Sequence, residues 1–283
     1  MGQTDLFGFD VKVWNQTVVV GAPMKGVSNG NLMDEGAVFV YTYSLGAWTE
    51  EKIAAPDAQF QDRFGHSVDI KDDYLIVGAP GTEGSANAAG LAFVYKHNVA
   101  WDLIKTLVND DNQQGDAFGF SVATGERGSS KLFLVGAPYW DGLTNLENAR
   151  GACWLFDYQL ADLSWSNNIL TAGNGSSNDV FGDVATIEKG AGNSMATAVS
   201  SRIIETLPSG YGVGAVYFYS LAYSTSGVWT AAGDDDEWDN TENWSDDQVP
   251  NGLTNVTIPD GLSPPNISGN AFCRNLSIPA GRT

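Results

Sequence analysis

An all-β fold, with short strands grouped into four-stranded sheets stacked as the blades of a propeller and a second, shorter all-β segment after them, is what this sequence predicts. Two observations carry the prediction. Four ordered motifs return in up to four copies along the chain, and each is a short β-branched or aromatic run closed by glycine or proline.

The first motif is Asp5-Leu6-Phe7-Gly8, repeated as Asp62-Arg63-Phe64-Gly65, Asp116-Ala117-Phe118-Gly119 and Asp179-Val180-Phe181-Gly182. Its phenylalanines stand at positions 7, 64, 118 and 181, intervals of 57, 54 and 63 residues. The second is Val20-Gly21-Ala22-Pro23, matched by Val77-Gly78-Ala79-Pro80 and Val135-Gly136-Ala137-Pro138. The third starts at Gly36, Gly90, Gly151 and Gly214 and runs on as Ala37-Val38-Phe39-Val40-Tyr41 in the first copy. A tryptophan then closes each unit: Trp48, Trp101, Trp165 and Trp229.

Each motif reads as a strand. Thr17–Val20 and Tyr74–Val77 are apolar at consecutive positions, the pattern of strands covered on both sheet faces. Pro23, Pro80 and Pro138 donate no backbone hydrogen bond and belong at strand ends. Four such strands per unit, each sheet covered by its neighbours, describe blades. The units are 5–61, 62–115, 116–178 and 179–230 of a first domain over 1–230.

At these residues the chain resembles FG-GAP repeats, known from the propeller of integrin α-subunits and from bacterial surface and secreted proteins. The resemblance runs from about Asp5 to Trp229 and rests on Phe7, Gly8, Phe64, Gly65, Phe118, Gly119, Phe181 and Gly182. It rests equally on Gly21, Ala22, Pro23, Gly78, Ala79, Pro80, Gly136, Ala137 and Pro138. The fourth copy has Ala198-Val199-Ser200 in place of Gly-Ala-Pro, as fits a terminal repeat. These residues are expected to build the blades: glycine for close backbone approach, phenylalanine to pack between sheets, aspartate to cap the turn before it.

The family implies calcium, held by alternating carboxylates between the Phe-Gly and Gly-Ala-Pro strands. Here those connections are Val13 to Gln16, Ile70 to Asp73 and Thr124 to Ser130, and none alternates oxygen ligands. The expectation is therefore no cofactor, with only a weak calcium site elsewhere left open. No catalytic residues are expected either. His66 stands where other copies have Phe9 and Phe120 and reads as a packing variant; neither His66 nor His97 has zinc-ligand neighbours. Ser67 and Ser121 lack a nucleophile-elbow context.

Binding residues tend to sit on loops held by a rigid scaffold, here the loops after Gly-Ala-Pro: 24–35, 81–89 and 139–150. Tyr139, Trp140 and Asp141 place two aromatics beside a carboxylate, a cluster able to stack on a sugar or anchor a protein partner, or else to cover a blade edge.

After Trp229 the composition changes. Asp234 to Glu237 reads as a solvated acidic linker, and 231–283 as the start of a Trp-rich segment like those of large bacterial surface proteins. Asn255-Val256-Thr257-Ile258 and Asn275-Leu276-Ser277-Ile278 read as successive strands of a solenoid-like or sandwich-like element. Cys153 reads as a small core hydrophobe, with a bridge to Cys273 the alternative. Both ends look cut. The four repeats then stand as four blades of a larger ring, as a small ring of their own, or as an incomplete propeller that self-associates.

Lys and Arg total 14 against 34 Asp and Glu, a net charge of −20 that repels nucleic acid and anionic lipid. No run approaches the ~18 apolar residues of a membrane helix. The function expected is that of a non-enzymatic, extracellular or cell-surface adhesion or binding module with a protein or glycan ligand. An accessory carbohydrate-binding propeller and a structural or assembly element are the alternatives.

Overall fold

The computed structural model describes residues 5–278 apart from 27–34, 57–60, 82–88, 110–112, 128–129, 143–148, 161, 173–177, 190–194, 207–211, 222–226, 234, 239, 245–249, 251–254, 260 and 268–274. Cys273 and most of the three loops after Gly-Ala-Pro lie outside the described residues. Two compact units emerge: Met1–Ala191 with Met195–Ser220, and Leu221–Thr283 with Gly192–Ser194.

The first unit is a row of antiparallel sheets. Strands β1 (Val11–Trp14), β2 (Thr17–Ala22), β3 (Ala37–Ser44) and β4 (Ala47–Ala54) form the first blade in that order. The second blade is β5 (Ser67–Lys71), β6 (Tyr74–Ala79), β7 (Leu91–His97) and β8 (Trp101–Leu107). The third is β9 (Ser121–Arg127), β10 (Ser130–Ala137), β11 (Ala152–Gln159) and β12 (Trp165–Leu170). In the fourth, β13 (Phe181–Lys189), β14 (Met195–Thr206) and β15 (Gly212–Leu221) make a three-stranded sheet among the described residues. Trp229, read from sequence as closing that blade, belongs instead to the second unit.

The same turn opens every blade. Leu6, Arg63, Ala117 and Val180 adopt φ of 51°, 58°, 56° and 57°, and Gly8, Gly65, Gly119 and Gly182 follow at 88°, 88°, 90° and 98°. Phe9 N–H donates to the Leu6 carbonyl at 3.0 Å, and His66 to Arg63 and Phe120 to Ala117 repeat it at 3.0 and 3.1 Å. A turn with positive φ at its third residue favours glycine there. Each phenylalanine of the motif then meets an aromatic ring of the third strand edge-on. The pairs are Phe7–Phe39 at 5.3 Å, Phe64–Phe93 at 5.4 Å, Phe118–Trp154 at 5.5 Å and Phe181–Tyr217 at 5.4 Å.

Blades join through a second recurring geometry. Gly36, Gly90 and Gly151 bridge in parallel to Phe64, Phe118 and Phe181 of the following blade. Gly21, Gly78 and Gly136 of the second strands lie against the carbonyls of Gly65, Gly119 and Gly182. A Cβ on any of the three would come within 3.0 to 3.1 Å of the carbonyl carbon and nearer still to its oxygen. Only glycine allows that approach. Polar contacts follow the same line: the Asp10 carboxylate accepts from Val68 N–H at 2.9 Å, Ser67 Oγ from Val122 N–H at 3.1 Å, and Asp69 from Thr124 N–H at 2.7 Å. Around these joints Phe64, Phe118 and Phe181 are all fully buried.

In the fourth blade Ala185 pairs with Val199 as Val122 pairs with Val135 in the third, so Ser200-Ser201 occupies the Gly136-Ala137 position. The degenerate motif is thus Ser200-Ser201-Arg202 rather than Ala198-Val199-Ser200. The ladder is irregular between Phe181 and Ala185.

The second unit is a parallel sheet of β16 (Gly227–Val228), β17 (Asn255–Thr257) and β18 (Asn275–Ser277). Successive parallel strands are the arrangement of a solenoid, not of an antiparallel sandwich. Its core is aromatic: Trp244 packs edge-on against Trp229 at 5.2 Å and Trp238 at 4.8 Å. Buried Asn243 ties the turn before it, donating to the carbonyls of Asp235 at 2.8 Å and Glu237 at 3.1 Å and accepting from Gly233 N–H at 2.8 Å. The segment 235–237 is therefore a folded turn and not a free acidic linker. Asp235 accepts from Asn240 Nδ2 and Glu237 N–H, which holds its carboxyl below the usual range.

Candidate functional site

In the first three blades the opening turn places an aromatic side chain two residues after the phenylalanine of the motif: Phe9, His66 and Phe120. Phe9 and His66 approach to 4.9 Å between ring centroids, His66 and Phe120 to 4.7 Å, and Phe120 meets Tyr139 edge-on at 6.2 Å. Phe9 and Tyr139 are 51% and 42% exposed, and His66 and Phe120 are partly covered, so the four rings form a continuous half-exposed row across three blades. Tyr139 is held there because its N–H donates to the carbonyl of Asp116, as Gly81 N–H does to Asp62 in the second blade.

The three residues singled out after Gly136-Ala137-Pro138 separate in the fold. Tyr139 joins the row and Asp141 is partly exposed beside it, but Trp140 turns inward at 5% exposure and packs edge-on against Trp154 at 5.6 Å. Trp140 covers the blade, where its ring packs over the third strand against Trp154 instead of meeting solvent.

His66 is a packing residue, as its place in the repeat implied. Its Nδ1 lies 3.1 Å from the Phe120 carbonyl, which only accepts, so Nδ1 carries the proton. Burial lowers its pKa. A depressed histidine contributes stability that is present above the unfolded value of about 6.5 and lost as pH falls through the folded value. We expect His66→Phe to remove that acid lability, so that the gap in melting temperature between variant and parent widens from pH 7 to pH 5. An unchanged gap in thermal melts would refute it. Asp69, on the first strand of the second blade, has its pKa raised by burial, despite the Thr124 N–H it accepts.

The adjacent carboxylates of the turn between β5 and β6 face lysines. Asp72 lies 2.6 Å from Lys131 Nζ of the third blade and is held below its usual range by that hydrogen bond, while Asp73 lies 4.0 Å from Lys96. Among the described residues no three of His, Cys, Asp and Glu converge as metal ligands. Cys153 is fully buried, and burial raises its thiol.

At the opposite ends of the first strands, a cleft of about 240 Å³ opens between the first and second blades, lined by Trp14, Thr42, Asp73, His97 and Trp101 among others. Trp101 was legible only as a repeat marker, and Trp14 carried no signal, since their meeting depends on how adjacent blades stack.

Four-stranded antiparallel sheets, joined in register by one recurring glycine contact, define a repeat protein of propeller blades. Residues 48–95, from β4 of the first blade through the third strand of the second, match the family model "FG-GAP repeat", so the chain carries an FG-GAP repeat. Among solved structures the chain is similar to Drosophila Plexin A in complex with Semaphorin 1b, at 10% identity and a TM-score of 0.30. That alignment covers 78% of this chain and 52% of that one, so this chain spans about half of the plexin chain's length. No curated protein matches the sequence.

Proposed function

We propose that this chain is a non-enzymatic binding module, working outside the cell or at its surface, whose contact face is the aromatic row Phe9–His66–Phe120–Tyr139. The row carries the reading because half-exposed rings, held rigid by the blade turns, supply apolar contact area at low entropic cost. Asp10 and Asp183 lie close enough to act on His66, and the chain's net charge is −20, so the favoured ligand is a protein surface combining apolar and basic groups.

A glycan ligand is the second reading, favoured by the paired tryptophans and the carboxylate of the Trp14–Trp101 cleft. One experiment separates the two. The chain is screened against a displayed peptide library and a glycan array, and the hits are retested with Tyr139→Ala and Trp101→Ala. The row predicts peptide hits weakened at least about tenfold by Tyr139→Ala. Glycan hits lost only in Trp101→Ala would replace it with the cleft, and hits insensitive to both would leave a structural role.

A further inference from the structure

Trp101 and Trp165 start the fourth strands of the second and third blades, and each lines a cleft against the blade before it. The two clefts differ in charge. The first holds Asp72, Asp73 and His97. The second, of about 340 Å³, lies between β8 of the second blade and β11 and β12 of the third. Its apolar side is Leu107, Phe156 and Trp165, and its polar side is Lys105, Thr106, Ser166 and Asn167. Among the described residues its lining carries one charge, that of Lys105, and no carboxylate.

The same reversal is visible at matching places of the two joints. Glu51 and Lys105 stand two residues before Ile53 and Leu107, which pair with Val38 and Ala92. Trp101 N–H donates to Glu51 Oε1 at 3.4 Å. Lys105 Nζ instead stands 6.0 Å over the Trp165 ring, at the limit of a cation–π contact, and forms no ion pair among the described residues. The Trp165 ring is fixed by stacking on Tyr158 at 4.5 Å and Phe133 at 5.6 Å, which makes it a rigid apolar wall. Beside it, Ser166 Oγ is buried and has no hydrogen-bond partner, so a donor and an acceptor stand open toward a ligand.

We propose that this cleft binds one six-membered sugar ring bearing a carboxylate, a hexuronate, free or at the end of a chain. The C–H edges of the ring lie along Trp165 and Leu107, its hydroxyls meet Ser166, Thr106 and Asn167, and its carboxylate pairs with Lys105. A cleft of this volume is at the small end of ligand sites, which suits a single ring. The net charge of −20 opposes an anion at long range, but physiological salt screens it beyond about 8 Å, and the contact with Lys105 acts well inside that distance. Neither the aromatic row nor the Trp14–Trp101 cleft takes part, so this site stands or falls separately from both.

Titration of the full chain with glucuronate, glucose and benzoate, followed by ligand NMR, tests it. We expect glucuronate to bind at least about tenfold more tightly than the other two, since glucose lacks the carboxylate and benzoate the hydroxyls. Lys105→Gln should erase the preference over glucose, and Ser166→Ala should weaken glucuronate about threefold or more. Lys52→Gln, which removes an exposed lysine from β4, should change neither. Tighter binding of a glucuronate-ended oligosaccharide than of the free sugar assigns the site to a chain end, and equal binding assigns it to the free sugar. Absence of glucuronate binding at millimolar concentration, binding no tighter than that of benzoate, or a preference that survives Lys105→Gln would overturn the proposal.

Discussion

Gly78→Ala is expected to destabilise the first unit by about 3 kcal/mol, at the upper end for an added methyl in a packed interior. The new Cβ would meet the Gly119 carbonyl and, at 3.3 Å, Val122 Cγ1. Its principal obstacle is backbone, held in place by the Gly119 N–H bond to the Gly136 carbonyl at 3.0 Å, so no side-chain rotation relieves it. Gly46→Ala makes the control. Gly46 has φ of 85° but nothing within 4 Å of a Cβ, so the change carries only left-handed strain of about 1–2 kcal/mol. Urea unfolding followed by tryptophan fluorescence measures both, and equal losses would show that the glycine contact is not what joins the blades.

Phe118→Ala should destabilise by about 3–5 kcal/mol, the range for removing a fully buried phenylalanine. Its ring contacts Trp154 at 5.5 Å and Phe156 at 6.2 Å and lies within the cluster that includes Ile76, Val94 and Phe133. Phe7→Ala, at the equivalent position of the first blade, removes a half-exposed ring and should cost about 1 kcal/mol. The same unfolding assay compares them. A Phe7 loss as large as that of Phe118 would mean that the first blade's outer face is covered in solution.

The repeat architecture was readable because the joint is written in residue types that serve few other purposes. A glycine after phenylalanine, at four positions of similar spacing, marks a turn with positive φ; a glycine in the middle of a hydrophobic strand marks close backbone approach. The fourth blade was harder to read because Ser200 and Ser201 resemble any exposed strand and only pairing with Ala185 assigns them. Trp229 misled for a related reason: a tryptophan at the usual interval looks like a fourth strand, whereas it and its partner Trp244 both belong to the second unit. The acidic run at 235–237 looked solvated because sequence does not show the Asn243 amide that gathers its carbonyls.

The candidate site was legible only in part. The sequence singles out Tyr139 through its loop and reads His66 as a packing variant of the repeat, but their lying in one row follows from the stacking of three blades. Trp140 shows the limit of composition as a guide. Adjacent aromatics on a loop look alike in sequence, and the backbone sends one outward and the next into the core.

The contact that holds successive blades together is made by main-chain carbonyls and glycines that have no side chains to offer. Side chains at matching places can therefore differ from blade to blade and still serve the same joint. Ser67 and Asp10, or Phe9 and His66, occupy matching places with different chemistry while the glycine contact stays the same. Such a scaffold separates inheritance of shape from inheritance of surface: each repeat is free to acquire its own rim without renegotiating how it sits beside its neighbours.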